Sequence, residues 1–180
     1  MDIVKNQKEQ KFILVYKTYV DEIYQYIFLR VGLDPSLAED MVQDVFLHVF
    51  KGLNGFKGLC SERTWIYKIT KNKISDFYRK QYSQKVELIE MNNQIAESLG
   101  DPKQNVDEFL EETFESQLVR DCLKSLPQQY KITLILKYVD GQSIKQIGEL
   151  SHKTPKAVES MIQRAKNAFI KQYEILQEKE

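Results

Sequence analysis

Apolar positions recur at steps of three and four along nearly the whole chain, the spacing that puts side chains on one face of an α-helix. Over residues 8–31 the recurring set is Phe12, Tyr16, Tyr19, Ile23, Tyr26 and Ile27. Gly32 is placed to end that helix, because glycine tolerates the left-handed backbone of a C-terminal cap. Asp34 and Pro35 restart the chain, the first as an N-cap and the second in a first turn where its missing N–H costs nothing. A second helix then runs from Pro35 to about Leu53. Its expected buried stripe is Leu37, Met41, Val45 and Val49, with Val42, Phe46 and Phe50 beside it. Asn54-Gly55 turns the chain into a short loop. A third helix follows to about Gln81, apolar on the side of Trp65, Ile66, Ile69 and Phe77.

Beyond Tyr82 the periodicity fails. Val86, Leu88, Ile89, Met91, Ile95 and Leu99 are irregularly spaced among acids, which reads as a linker. Helical spacing resumes near Asn105 with Val106, Phe109, Leu110, Phe114, Leu118, Cys122 and Leu123, and breaks at Leu126-Pro127. The next helix, from Gln128 to Val139, stops at Asp140-Gly141. Ser143 and Gln146 have the spacing of a capping box. That helix reaches about Leu150. Ser151, His152 and Lys153 turn the chain, and Thr154-Pro155 opens a last helix to about Glu174.

Two helices joined by so short a turn form a helix-turn-helix pattern. Ile144, Ile147, Leu150, Val158, Met161, Ile162 and Ala165 would line its inner face. The chain is therefore expected to be all-α. Two small helical domains, 1–82 and 116–180, are joined by an acidic linker, 83–115, and the C-terminal domain is the helix-turn-helix.

Charge sharpens this division. The 180 residues carry 26 Lys/Arg and 26 Asp/Glu, so the net charge is zero, but the distribution is uneven. Residues 57–85 hold eight cations against two acids, 86–115 one against nine, and 116–180 eleven against seven. Two basic blocks on an acidic tether suit two nucleic-acid-facing modules. No apolar run approaches the roughly 18–20 residues that span a membrane, and the N-terminus lacks a signal-peptide core, so a cytoplasmic protein without membrane insertion is expected. Cys60 and Cys122 have no CxxC partner, and His48 and His152 are isolated. No catalytic centre, metal site or cofactor is expected.

Three surfaces carry candidate chemistry. On the third helix Lys68, Lys71, Asn72, Ser75 and Arg79 share one face, a cationic stripe with an amide that can read a base edge. On the second, Asp40, Gln43, Asp44 and Leu47 share a face where an apolar side chain stands among acids, as a docking surface would show. On the last helix Lys156, Glu159, Ser160 and Gln163 point outward, with Lys153 and Thr154 at its start. Gln163 and Ser160 suit base edges, and Lys153, Lys156 and Arg164 suit phosphates. Glu159 can accept from a cytosine amine. A helix-turn-helix regulator acting alone would leave the first two surfaces without a purpose. A metal-dependent hydrolase built on Glu39, Asp40 and Asp44 would need converging carboxylates, and only Asp21 and Glu22 are at hand.

Taken together the segments resemble a bacterial RNA polymerase sigma factor of the extracytoplasmic-function class. In the N-terminal half the likeness rests on the run from Ala38 to Leu47, on Phe56-Lys57-Gly58, on Ser61, on Arg63 to Ile69, and on Asn72 and Asp76. In the C-terminal half it rests on Leu126-Pro127, Asp140-Gly141, Ser143, Ile147, Ala157 to Ser160 and Arg164 to Lys166. The resemblance implies that Asp40, Gln43, Asp44 and Leu47 bind core RNA polymerase. It implies that the loop with Phe56, Lys57 and Ser61 captures a flipped base of the minus-ten element of promoter DNA, beside the stripe on the third helix. The helix from Thr154 would read the minus-thirty-five element. A membrane-associated anti-sigma factor is a third candidate partner. Leu59, Cys60 and Glu62 differ from the more polar or aromatic residues common in that loop, so the captured base is not specified.

Overall fold

The structure is a computed structural model, and it describes residues 2–82 and 117–178. Helix α1 spans Asp2–Arg30, α2 Pro35–Gly52 and α3 Glu62–Tyr82, with a 3-10 turn at Leu53–Gly55. In the C-terminal half α4 spans Gln117–Ser125, α5 Gln128–Leu134, α6 Ile144–Ser151 and α7 Pro155–Gln177. No strand occurs among the described residues. The linker and the periodic positions from Val106 to Phe114 lie outside the described residues.

The caps act as their sequence suggests. Asp34 accepts a hydrogen bond from the Leu37 N–H at 3.1 Å. Ser143 and Gln146 form a reciprocal capping box, and Thr154 accepts from the Ala157 N–H. Gly32 has a φ of +82°, as its role at the end of α1 requires; Leu33 follows with a positive φ as well. Where a single helix was expected from Gln128 to Val139, the α-helix gives way to a π-helical turn at Ile135–Val139.

Packing rotates two of the expected stripes. On α2 the buried residues are Ala38, Val42, Val45, Phe46 and Val49, whereas Leu37 and Met41 are half-buried. On α3 they are Ile66, Tyr67, Thr70, Ile74, Ser75, Tyr78 and Tyr82, whereas Trp65, Ile69 and Phe77 are half-buried. The reason is tertiary: α3 packs not only on α1 and α2 but also on α5 and α6. One apolar cluster therefore joins Ile23, Tyr26, Ile27, Ile74 and Tyr78 to Ile132, Leu136 and Ile147. A second joins Leu29 and Leu33 to Leu123, Leu126 and Leu134. The two helical units are thus pressed together over shared apolar residues.

Candidate nucleic-acid interface

The face of α2 is open to a partner. Asp40, Gln43 and Leu47 are exposed, and Asp44 is half-buried. Leu47 is 48% exposed among these polar neighbours. Asp44 pairs with Lys73 of α3 at 2.8 Å, which ties the acidic face to the cationic helix. That hydrogen bond, aided by the nearby positive charges, holds the Asp44 carboxyl below its usual range.

The loop before α3 projects outward. Lys57, Leu59, Cys60 and Ser61 are exposed, and Leu59 reaches 90%. Gly58 has a φ of +69°, a conformation that side-chain-bearing residues rarely adopt. Phe56 is half-buried and stacked on Trp65, with ring centroids 4.8 Å apart. The Trp65 ring lies so close to Gly52 that a Cβ there would sit 2.9 Å from Cζ2. Ser61 has a structural task besides: its hydroxyl accepts the Thr64 N–H at 3.1 Å and so caps α3. Arg63 and Tyr67 then bind Glu22 of α1, Tyr67 at 2.8 Å, and this anchors the start of α3.

The stripe on α3 is graded. Lys68 is exposed, Lys71, Asn72 and Arg79 are half-buried, and Ser75 is buried. The Ser75 hydroxyl donates to the Lys71 carbonyl at 2.9 Å, and Arg79 bonds Asp76 at 2.8 Å. Ser75 is 2% exposed in this arrangement, in which α5 and α6 pack against α3.

The face of α7 is complete. Lys153, Thr154, Lys156, Glu159, Ser160, Gln163 and Arg164 are all exposed. Gln163 donates to Asn167 at 3.0 Å, and Arg164 donates to the Ser160 carbonyl at 3.3 Å. The angle between α6 and α7 depends on Gly148, where an added Cβ would lie 2.9 Å from the Lys153 carbonyl oxygen. His152, with a φ of +53°, turns the chain at that point.

Among the described residues no cluster of three or more His, Cys, Asp or Glu could hold a metal. Glu22 and Asp44 are taken up by Arg63 and Lys73 instead. Sequence reasoning missed one pair, Arg30 and Asp140. Their side chains are 5% and 0% exposed, and they meet at 2.6 Å. Asp140 read only as part of a turn, and no local pattern signals a partner 110 residues away.

A helix-turn-helix with a fully exposed polar row, beside a cationic helix and a protruding loop, defines a helical DNA-binding protein. The family model described as Sigma-70 region 2 matches residues 15–84, and that described as Sigma-70, region 4 matches residues 116–169. The chain is 32% identical to a probable RNA polymerase sigma factor of Haemophilus influenzae over 144 residues, 73% of this chain and 74% of that one. It is 26% identical to the ECF RNA polymerase sigma factor SigX of Bacillus subtilis, over 94% of this chain and 87% of that one. The chain belongs to the sigma-70 family of RNA polymerase sigma factors, in the extracytoplasmic-function class. It directs RNA polymerase to specific promoters. Among solved structures it is similar, at 18% identity and a TM-score of 0.44, to the sigma factor RpoE in complex with the anti-sigma factor NepR from Bartonella quintana, over 93% of this chain and 96% of that chain. It is also similar to a chain of the RsbN–BldN complex, with a TM-score of 0.36 and 18% identity, over 94% of this chain and 96% of that chain. No helix among the described residues is long and apolar enough to cross a membrane.

Proposed function

We propose that the recruitment of polymerase and the reading of the promoter are divided between two helical domains, 1–82 and 116–180, tethered by residues 83–115. Asp40, Gln43, Asp44 and Leu47 dock on core RNA polymerase. Phe56, Lys57 and Ser61 frame the pocket for a flipped base of the minus-ten element, and Lys68, Lys71, Asn72 and Arg79 hold and read the same strand. Lys153, Thr154, Lys156, Glu159, Ser160, Gln163 and Arg164 meet the duplex of the minus-thirty-five element.

The division follows from the physics of reading DNA. A helix in the major groove distinguishes base pairs without opening them. Melting requires an unstacked base to be trapped, at a cost of about a few kcal/mol. A protruding loop beside a cationic helix offsets that cost. Two weak readers on one tether gain from effective concentration, and polymerase fixes their spacing. The chain so read is regulatory, not catalytic, and works in the cytoplasm, where polymerase and DNA meet. A membrane-associated anti-sigma factor stays a candidate partner on class membership alone.

The observation that carries this reading is the polar row on α7 and in the turn before it, exposed at all seven positions on a helix-turn-helix closed by Gly148. The test is transcription in vitro by core polymerase plus this protein on a genomic library, with start sites mapped. Start sites that share two sequence elements at constant spacing are expected. Failure to comigrate with core polymerase at low salt would overturn the reading.

A further inference from the structure

The loop that carries Phe56, Lys57 and Ser61 is held by its ends. Lys57 to Cys60 are exposed, Leu59 almost wholly, and a Cβ at Gly55 or Gly58 would meet no atom within 4 Å. At one end Phe56 stacks on Trp65. At the other the Ser61 hydroxyl hydrogen-bonds the Thr64 hydroxyl at 2.8 Å and accepts the Thr64 N–H. Both anchors, Thr64 and Trp65, belong to the first turn of α3. The position and rotation of that turn therefore set the path of the loop.

That turn is fixed in its place by α1. Arg63 and Tyr67 stand four residues apart and share one face of α3. Arg63 Nε donates to Glu22 Oε1 at 2.8 Å, Arg63 Nη2 reaches the same oxygen, and Tyr67 Oη donates to it at 2.8 Å. Hydrogen bonds to a carboxylate are stronger than neutral ones, and three donors converging on one oxygen define a direction as well. The Arg63 guanidinium also lies over the Tyr67 ring, 4.9 Å from its centroid, and that ring meets Tyr26 of α1 edge-on at 5.0 Å. About three turns earlier on α1, Lys11 pairs with Glu62 at 3.5 Å and stands 6.0 Å from the Phe56 ring. This second tether is more exposed and contributes less.

We propose that Glu22 is a positioning residue for promoter opening: it fixes the first turn of α3 and, through Thr64 and Trp65, holds the loop where a flipped base is trapped. This rests on the reading of that loop as the minus-ten pocket. Glu22 touches no DNA in this role. Trapping an unstacked base offsets the cost of melting best when the loop is in place before the base arrives. A loop that had to be ordered at that moment would give up part of the gain as lost conformational entropy. Tied through its ends to a helix that α1 holds, this loop is ordered beforehand.

The test uses the full chain with core polymerase and a promoter mapped with the holoenzyme. Wild type is compared with Glu22→Ala and with Tyr67→Phe, which removes a single hydroxyl. Short-RNA synthesis is timed on the duplex promoter and on the same promoter with template-strand mismatches across the minus-ten element, where the duplex is already open. Glu22→Ala should slow synthesis on the duplex about tenfold, as a small misplacement of a positioned group does, and on the mismatched template by no more than about twofold. Tyr67→Phe should show the same split with a smaller loss. Unchanged synthesis on the duplex would overturn the proposal. So would an equal loss on both templates or weaker comigration with core polymerase, because either makes Glu22 merely structural. A nitroxide on Cys60, which is exposed while Cys122 is buried, reports on the loop directly. Its spectrum in the free protein should narrow in both variants, and an unchanged line shape in both rules the proposal out. Failure of the underlying reading shows separately: Lys57→Ala would then leave synthesis on the duplex unchanged, whatever the nitroxide reports.

Discussion

Arg30 Nη2 donates a 2.6 Å hydrogen bond to Asp140 Oδ1 across 110 residues of sequence. It is an ion pair with almost no exposure to solvent, set between the two halves. Burial opposes the charge on Arg30, but Asp140 together with the Tyr26 and Tyr78 hydroxyls outweighs it and raises the guanidinium pKa. Replacing one partner leaves a buried charge without compensation. Asp140→Ala should therefore destabilise the protein by about 3–5 kcal/mol, and the double variant Arg30→Met/Asp140→Leu by much less. Urea unfolding of the single and double variants measures the difference.

Gly148 should be the least tolerant glycine of the helix-turn-helix. Gly148→Ala forces a methyl within 2.9 Å of the Lys153 carbonyl oxygen. The expected loss is about 1–3 kcal/mol, the usual range for overpacking. Gly55→Ala is the control: a Cβ there meets nothing within 4 Å, and the change should stay within about 0.5 kcal/mol. Thermal unfolding followed by circular dichroism compares the two.

Asn72 and Asp44 should separate promoter opening from assembly. Loss of a base contact is worth about 1–3 kcal/mol, so Asn72→Ala should cut transcription from the cognate promoter several-fold or more and spare polymerase binding. Asp44→Arg reverses a charge on the proposed docking face and should impair assembly. Gel comigration with core polymerase, run beside promoter-specific transcription, distinguishes the two effects.

Arg164 should act on phosphates. Its Nε is tied to the Ser160 carbonyl and its side chain is exposed on α7. Arg164→Ala should weaken duplex binding alike across sequences and reduce the salt dependence by about one counterion. Fluorescence anisotropy with cognate and scrambled duplexes at several salt concentrations reads both quantities.

The pair between Asp44 and Lys73 has a defined pH window. The folded pKa of Asp44 lies below its ordinary value of 3.8, chiefly through the hydrogen bond from Lys73. A depressed carboxyl pKa contributes stability above the unfolded value, and that contribution is lost as pH falls through the folded one. Lys73→Met should raise the Asp44 pKa back toward 3.8. An NMR titration of the Asp44 side-chain carboxyl carbon follows the shift directly.

Local chemistry made much of this protein legible. Asp34, Ser143 and Thr154 cap their helices through neighbours three residues away, and such contacts form wherever the chain goes. The outward row of α7 was legible for a related reason. Its polar residues share one helical face, while Val158, Met161, Ile162 and Ala165 bury the other. Ser75 shows where this reasoning ends: it sits on a polar stripe and yet is buried. Leu37 and Met41 show the converse, as apolar residues left half-buried while the smaller Ala38 and Val42 are fully buried.

By itself the sequence determined the helices, their caps and turns, the helix-turn-helix, and the motifs of a sigma factor, because these depend on residues within a few positions of one another. The tertiary structure alone decided how the halves meet, Arg30 with Asp140 and Tyr82 with Thr133, and that Ser75 is buried. Such contacts depend on apolar faces that could pack in several ways. Which pair of distant polar residues ends up buried together is settled only when those faces close.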